Sequence, residues 1–132
     1  MDLELTYTID APIKLVWEAL VDPTHIEQWS GGPAIMTDEA GEDFSLWGGE
    51  IYGQNVKIVP QELLEQNWYT SDWENPSHLI YSLTSKKDTT IVDLKHTNIP
   101  EESVDNIKDG WDDSFMEPFI EYVEDLYIAE KD

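Results

Sequence analysis

The stretch HTNIPEESVDNIKDGWDDSFMEPF, residues 96–119, carries the most informative pattern in this chain. Large apolar residues recur within it and just beyond it, at a spacing that places them on one face of a long helix: Ile107, Trp111, Phe115, Phe119, Tyr122, Val123 and Leu126. Acidic residues occupy much of the remaining helix surface. A long amphipathic helix needs a large apolar surface to lie on, and the preceding residues must supply that surface.

Pro118 stands inside this predicted helix. A proline there lacks the amide hydrogen of the backbone ladder and clashes with the preceding turn, which costs about 3 kcal/mol unless the helix bends. We therefore predict a kink that lets Phe115 and Phe119 follow a curved sheet. The alternative is a hinge that opens a cavity beneath the helix.

The composition indicates one domain, residues 1–132, with an unusual charge. Hydrophobic residues make up 40% of the chain, enough for a substantial core. Seven lysines and no arginine stand against 29 acidic residues, for a net charge of −22. Nucleic acid and anionic membranes are therefore not expected as partners, because both are bound through clustered cations. The excess acid predicts a solvated, repulsive surface, or else a surface for a basic protein partner.

The sequence offers little for metal or cofactor chemistry. Without cysteine, the chain has neither disulfides nor thiolate metal ligands. His25, His78 and His96 are far apart, and no phosphate-binding or nucleophile motif is present, so we expect no metal and no cofactor. The acidic, alternating start MDLELTYTID does not resemble a secretory signal, and no apolar run approaches a membrane span. A cytoplasmic location is the expectation.

The predicted elements run strand, two short helices, six strands and the long helix. The first strand alternates from Leu3 to Ile9, and the helices lie in DAPIKLVWEALVDP and PTHIEQW. The later strands are predicted at 34–38, 43–47, 50–59, 63–74, 78–86 and 89–98. This order predicts an α+β fold in which an antiparallel sheet of about seven strands presents one apolar face to the C-terminal helix.

Several segments carry a family resemblance. IDAPIKLVWEALVDPTHIEQW resembles the opening of START-like (SRPBCC, helix-grip) domains. HTNIPEESVDNIKDGW, with EPF after it, resembles the branch named after the C-terminal domain of the activator of heat-shock protein 90 ATPase; FSLWGGEIYG and VPQELLEQNWYTSDW fit that branch in order. The resemblance implies a curved antiparallel sheet wrapped around a long C-terminal helix. It also implies relatives that carry hydrophobic molecules, a few cyclases, and a co-chaperone.

The expected site lies between the sheet and the C-terminal helix, where a helix-grip fold leaves space for a ligand. We predict that it is lined by Trp29, Phe44, Leu46, Trp68, Leu79, Tyr81, Leu94, His96, Trp111 and Phe115. His96 shares strand parity with Val92 and Leu94 and is therefore expected to point inward as the single polar anchor.

The favoured function is non-catalytic binding of a small hydrophobic molecule in this cavity. One alternative is a co-chaperone-like module that binds a heat-shock protein 90 type ATPase and stimulates it. The other is a small cyclase or isomerase that uses His96, which requires a second polar group beside the imidazole.

Overall fold

A curved, seven-stranded antiparallel sheet and a long C-terminal helix make up most of the fold, as the sequence predicts. The computed structural model describes residues 2–37, 39–49, 51–70 and 76–131. The elements are β1 (Leu3–Ile9), α1 (Ile13–Val21), α2 (Pro23–Ser30), β2 (Ala34–Ile35), β3 (Asp43–Leu46), β4 (Ile51–Val59), β5 (Leu63–Thr70), β6 (Ser77–Lys86), β7 (Thr89–Thr97), α3 (Val104–Asp109), a π-helical segment (Gly110–Met116) and α4 (Glu117–Lys131). We refer to residues 104–131 together as the C-terminal helix.

The predicted boundaries differ from the observed ones mainly around the turns. The strands predicted at 34–38 and 43–47 are shorter, since β2 ends at Ile35 and β3 at Leu46. β5 is described from Leu63 to Thr70. Residues 38, 50 and 71–75 lie outside the described part of the chain, so the strand ends predicted there have no observed counterpart.

The strand order is β1-β7-β6-β5-β4-β3-β2, and every neighbouring pair is antiparallel. β6 and β7 show the parity that the sequence predicts, because Leu79 pairs with His96 and Tyr81 pairs with Leu94. All four side chains are buried. One face of these central strands therefore forms the apolar floor on which the C-terminal helix lies.

The C-terminal helix packs its predicted apolar face into the core. Trp111, Phe115, Phe119 and Val123 are all buried, and α1 and α2 contact α4 from the other side. Among the described residues, the buried apolar side chains of sheet and helices form one contiguous cluster. None of the described helices combines the length and apolarity needed to cross a bilayer.

The π-helical segment explains how apolar residues spaced by four stay on one face. In an α-helix, a step of four residues turns about 40° beyond a full turn, so such a stripe drifts around the axis. The wider turns of Gly110–Met116 counter that drift between Trp111 and Phe115. They also bring Met116 into the core beside these rings. This segment ends two positions before Pro118, and the kink predicted at that proline stays a prediction.

Candidate functional site

A cavity of about 110 Å³ opens where the π segment passes over the ends of β4 and β5. Its lining is formed by Trp47, Ile51, Trp68, Asn106, Ile107, Gly110, Trp111, Ser114 and Phe115. Polar atoms contribute almost none of its surface. The arrangement is an open-mouthed, apolar cleft dominated by aromatic rings.

Trp47 forms one wall of this cleft in a left-handed backbone conformation. Its φ is 53°, which is unusual for a bulky side chain and is associated with functional sites. The indole N–H donates a hydrogen bond to the carbonyl of Ser30 at 3.1 Å. Gly32 has no side chain, and a Cβ there would approach Cδ1 of Trp47 to 2.8 Å. The glycine and the hydrogen bond together hold the indole ring at the cleft.

The structure brings three of the ten predicted site residues to the cleft: Trp68, Trp111 and Phe115. The other seven are buried in the core, each 0–6% exposed: Trp29, Phe44, Leu46, Leu79, Tyr81, Leu94 and His96. Leu94 also borders a separate cleft of about 350 Å³, which has a mixed polar and apolar lining that includes Leu5 and Lys95. A further cleft of about 410 Å³, beside α1 and α2, has a similarly mixed lining.

Six lining residues were not among the predicted site residues: Trp47, Ile51, Asn106, Ile107, Gly110 and Ser114. Trp47, Ile51 and Gly110 reach the cleft because the turn after β3 and the π segment meet there. The available signal was the glycine pair Gly48-Gly49, which marks a tight turn directly after a tryptophan. That signal indicates a turn, and it does not indicate which helix the turn faces.

Aromatic rings fill most of the space between the sheet and the helix. Trp111 lies at the centre, stacked on Trp68 with ring centroids 5.0 Å apart. It also packs against Phe115 at 4.5 Å and meets the edge of Tyr81 at 6.0 Å. Such offset and edge contacts add to the stabilisation from burial alone. Between the sheet and the C-terminal helix, the described interior therefore holds packed side chains, and open volume remains where the π segment borders the cleft.

His96 is buried between Trp111 and Ser77. The Trp111 Nε1–H donates to Nδ1 of His96 at 3.1 Å, and Nε2 of His96 lies 2.7 Å from Oγ of Ser77. An indole nitrogen only donates, so Nδ1 must be the unprotonated nitrogen and Nε2 must carry the hydrogen. The Ser77 hydroxyl in turn donates to the carbonyl of Trp68 at 3.3 Å.

The pKa of His96 is lowered to about 4, first by burial and then by the charge of His78. A proton added at Nδ1 would also face the Trp111 N–H that now donates to this atom. His96 is therefore a neutral, fully enclosed imidazole at neutral pH, with both ring nitrogens engaged.

A second chain of buried hydrogen bonds supports Trp68. Its indole N–H donates to Oε1 of Gln66 at 2.8 Å, and Nε2 of Gln66 donates to Oδ1 of Asn55 at 2.8 Å. Nδ2 of Asn55 ends the chain on the carbonyl of Thr37 at 3.1 Å. Within the described ranges, every buried side-chain nitrogen and oxygen has a hydrogen-bond partner. The interior thus fixes the aromatic rings in place and leaves no free polar group there.

The C-terminal helix is tied to the edge strand β1. The Tyr7 hydroxyl donates to Oδ1 of Asp112 at 2.7 Å, and Lys108 bridges Oδ2 of the same carboxylate at 3.1 Å. Burial, and then the hydrogen bond to Asp112, raise the pKa of Tyr7. The described residues contain no cluster of histidine, aspartate or glutamate arranged to hold a metal ion.

The fold and the ring-lined interior define the class of protein: a START-like, helix-grip domain. The family model described as "Activator of Hsp90 ATPase homolog 1-like protein" matches residues 10–124. The chain belongs to this family.

Individual relatives agree with this assignment. The activator of 90 kDa heat shock protein ATPase homolog of Dictyostelium discoideum is 25% identical over 99 residues, which are 72% of this chain and 26% of the relative. The curated relatives are much longer, and the matched regions are about a fifth to a third of their lengths.

Solved structures show the same fold. An HSP90 activator from Plasmodium falciparum is similar with a TM-score of 0.84 and 26% identity, covering 89% of this chain and 91% of that one. DynU16, from the dynemicin biosynthetic locus, has a TM-score of 0.81 and 21% identity, covering 93% of this chain and 47% of that one. At that identity, the second likeness concerns the fold alone.

Proposed function

We propose that this chain is a non-catalytic binding domain that takes a small hydrophobic group in the cleft beneath the π segment. The observation that carries the proposal is the apolar cavity of about 110 Å³ walled by Trp47, Trp68, Trp111 and Phe115. Apolar pockets with few polar groups are the usual make-up of small-molecule sites.

The size of the cleft limits the ligand. Pockets for drug-sized molecules have volumes of roughly 300–1,000 Å³, whereas an apolar cavity of roughly 150 Å³ takes benzene. A cleft of about 110 Å³ therefore suits one small ring or a branched group of a few carbon atoms, with the remainder of the ligand at the open mouth. Long-chain carriage inside the domain is not supported, because rings fill the space between sheet and helix.

The state of His96 argues against catalysis by this residue. General acid–base work requires an imidazole within hydrogen-bond reach of a substrate, with a pKa near the working pH. His96 is 0% exposed, its pKa is lowered to about 4, and both of its nitrogens have partners. We therefore propose binding in preference to cyclase or isomerase activity.

Filling the cleft should abolish binding without unfolding the protein. Gly110 lines the cavity with helical backbone angles, and a Cβ at this position meets nothing within 4 Å. We expect Gly110→Leu to occupy the cavity and to lose the binding of neutral probes such as benzene and indole. Ligand-observed NMR measures the loss of probe binding. Probe concentrations up to about 1 mM are sufficient, because a dissociation constant of about 1 mM is the weakest affinity that still indicates a site.

Ala129→Leu is the matched control. It adds a leucine at an exposed position of α4, away from the cleft, and leaves the net charge unchanged. We expect this variant to bind as the parent chain does. If no neutral apolar probe binds the parent chain, or if Gly110→Leu binds as well as Ala129→Leu, the proposed site is wrong.

A second candidate function is supported by the family match and by relatives named as activators of a heat-shock protein 90 ATPase. In this case the chain binds a chaperone of that type and raises its rate of ATP hydrolysis. The net charge of −22 suits a basic partner surface, so the stimulation should weaken as salt screens the attraction.

Steady-state ATP hydrolysis by a purified chaperone, with and without this protein, tests the second candidate. We expect faster hydrolysis at low ionic strength and less stimulation at about 0.5 M salt, where screening is strong. Gly110→Leu separates the two functions, because it fills the cleft and leaves the charged surface intact. An unchanged rate at every salt concentration would exclude the co-chaperone function for this chain.

A further inference from the structure

We infer that the ligand of the cleft carries a positive charge without N–H groups, namely a small quaternary ammonium compound. This inference rests on the proposed binding function and names the chemical class of its ligand. Two features of the molecule lead to it: the aromatic lining of the cleft, and the electrostatic field around it.

The lining is suited to a cation that forms no hydrogen bonds. Four aromatic rings wall the cavity in different planes: Trp68 and Trp111 are stacked at 22°, whereas Trp47 and Phe115 meet at 76°. Aromatic faces attract cations through the ring quadrupole, and aromatic cages are a known means of recognising quaternary ammonium groups. An ammonium that carries N–H donors would need acceptors in the cavity, and its nearly apolar surface provides almost none.

The charge around the cleft has the sign that attracts such a ligand. Asp109 and Asp113 are exposed and directly precede Gly110 and Ser114, which line the cavity. Lys108, the neighbouring cation on the helix, is paired with a carboxylate at 3.1 Å. With 29 acidic residues against seven lysines, the field of the whole chain raises the local concentration of cations and repels anions.

The size of the cavity agrees with this class. A trimethylammonium group is a compact, branched group of four heavy atoms, and it fits a space that holds roughly one small ring. Its charge sits at the centre of an apolar shell. It therefore contacts the rings without leaving an unsatisfied donor in the cavity.

The experiment compares two probes that differ in one atom. Choline contains a trimethylammonium group, and 3,3-dimethylbutan-1-ol is its neutral isostere, with carbon in place of nitrogen. We expect choline to bind about tenfold more tightly, measured by ligand-observed NMR titration. Part of this preference should persist at about 1 M sodium chloride, because contacts with the rings are short-range whereas the general field is screened.

A lining variant tests the role of the rings. Trp47→Leu keeps the wall apolar and removes one aromatic face, so we expect choline to bind several-fold more weakly while the neutral isostere changes little. Circular dichroism melts confirm that the variant is folded; Trp47→Phe, which keeps an aromatic ring, should retain most of the preference for choline.

The outcomes separate this inference from the proposed function. Equal binding of both probes to the parent chain, or a preference for choline that vanishes at high salt, overturns the inference and leaves apolar binding in the cleft standing. Binding of neither probe overturns the inference, and it overturns the proposed function as well if benzene and indole also fail to bind. An equal loss of both probes in Trp47→Leu shows that the ring acts as apolar surface only, and it also overturns the inference.

Discussion

Replacing Trp111 with alanine should lower the free energy of unfolding by about 3–5 kcal/mol, the range for removing a large aromatic side chain from a core. Trp111 is 2% exposed and contacts Trp68, Tyr81 and Phe115. Its removal leaves a cavity at the centre of the helix–sheet contact and an unpaired Nδ1 on His96. Urea unfolding followed by circular dichroism measures the change. The dependence of the unfolding free energy on urea concentration should be the same for both proteins if unfolding is two-state.

The variant Trp111→Phe separates the contribution of the hydrogen bond from the contribution of apolar packing. The phenyl ring keeps most of the apolar burial but does not donate to Nδ1 of His96, so we expect a loss of about 1–3 kcal/mol for an unsatisfied buried acceptor. Trp47→Ala serves as the control. Trp47 is only partly buried, at the cleft, so its removal should lower the free energy of unfolding by less than the removal of Trp111 does. A loss below about 1 kcal/mol for Trp111→Ala would contradict the central position of this residue.

Acidification should destabilise the fold through His96. Above a pH of about 6.5, the imidazole is neutral in both the folded and the unfolded chain, and its contribution to stability is fully present. Below that pH the unfolded chain binds a proton, whereas the folded chain does not until the pKa of about 4 is reached. The free energy of unfolding should therefore fall by about 2 kcal/mol at pH 5 and by about 3 kcal/mol near pH 4 from this residue alone.

Since acid acts on many other groups of this highly acidic chain as well, the measurement needs a variant that lacks the imidazole. His96→Asn retains an acceptor near the δ1 position and does not titrate. We expect unfolding free energies measured from pH 7.5 to pH 4 to fall by about 2–3 kcal/mol more for the parent chain than for this variant. NMR of the His96 ring should show no titration of the folded chain down to about pH 5, and a midpoint near 6.5 would contradict the enclosed, neutral imidazole.

The elements of the fold were predictable because their patterns are local. The alternation of Leu3, Leu5, Tyr7 and Ile9 predicted β1, whereas its place at the sheet edge beside β7 came from the structure. The parity of Tyr81 and His96 predicted which face of β6 and β7 is buried. The spacing of apolar residues predicts a helix but does not predict irregular turns within it. The four-residue spacing and Pro118 were therefore not enough to predict the π-helical segment.

The class of fold, the buried faces of β6, β7 and the C-terminal helix, and the strongly acidic charge could be read from the sequence, because periodicity and composition encode burial and charge directly. Three features became visible in the folded structure alone: the rings of Trp68 and Trp111 stack, His96 is enclosed by Ser77 and Trp111, and an apolar cleft opens beside Trp47. These contacts join residues that are far apart in the chain. Their geometry depends on strand register and on how the C-terminal helix closes over the sheet, and side-chain packing at that closure fixes where space remains.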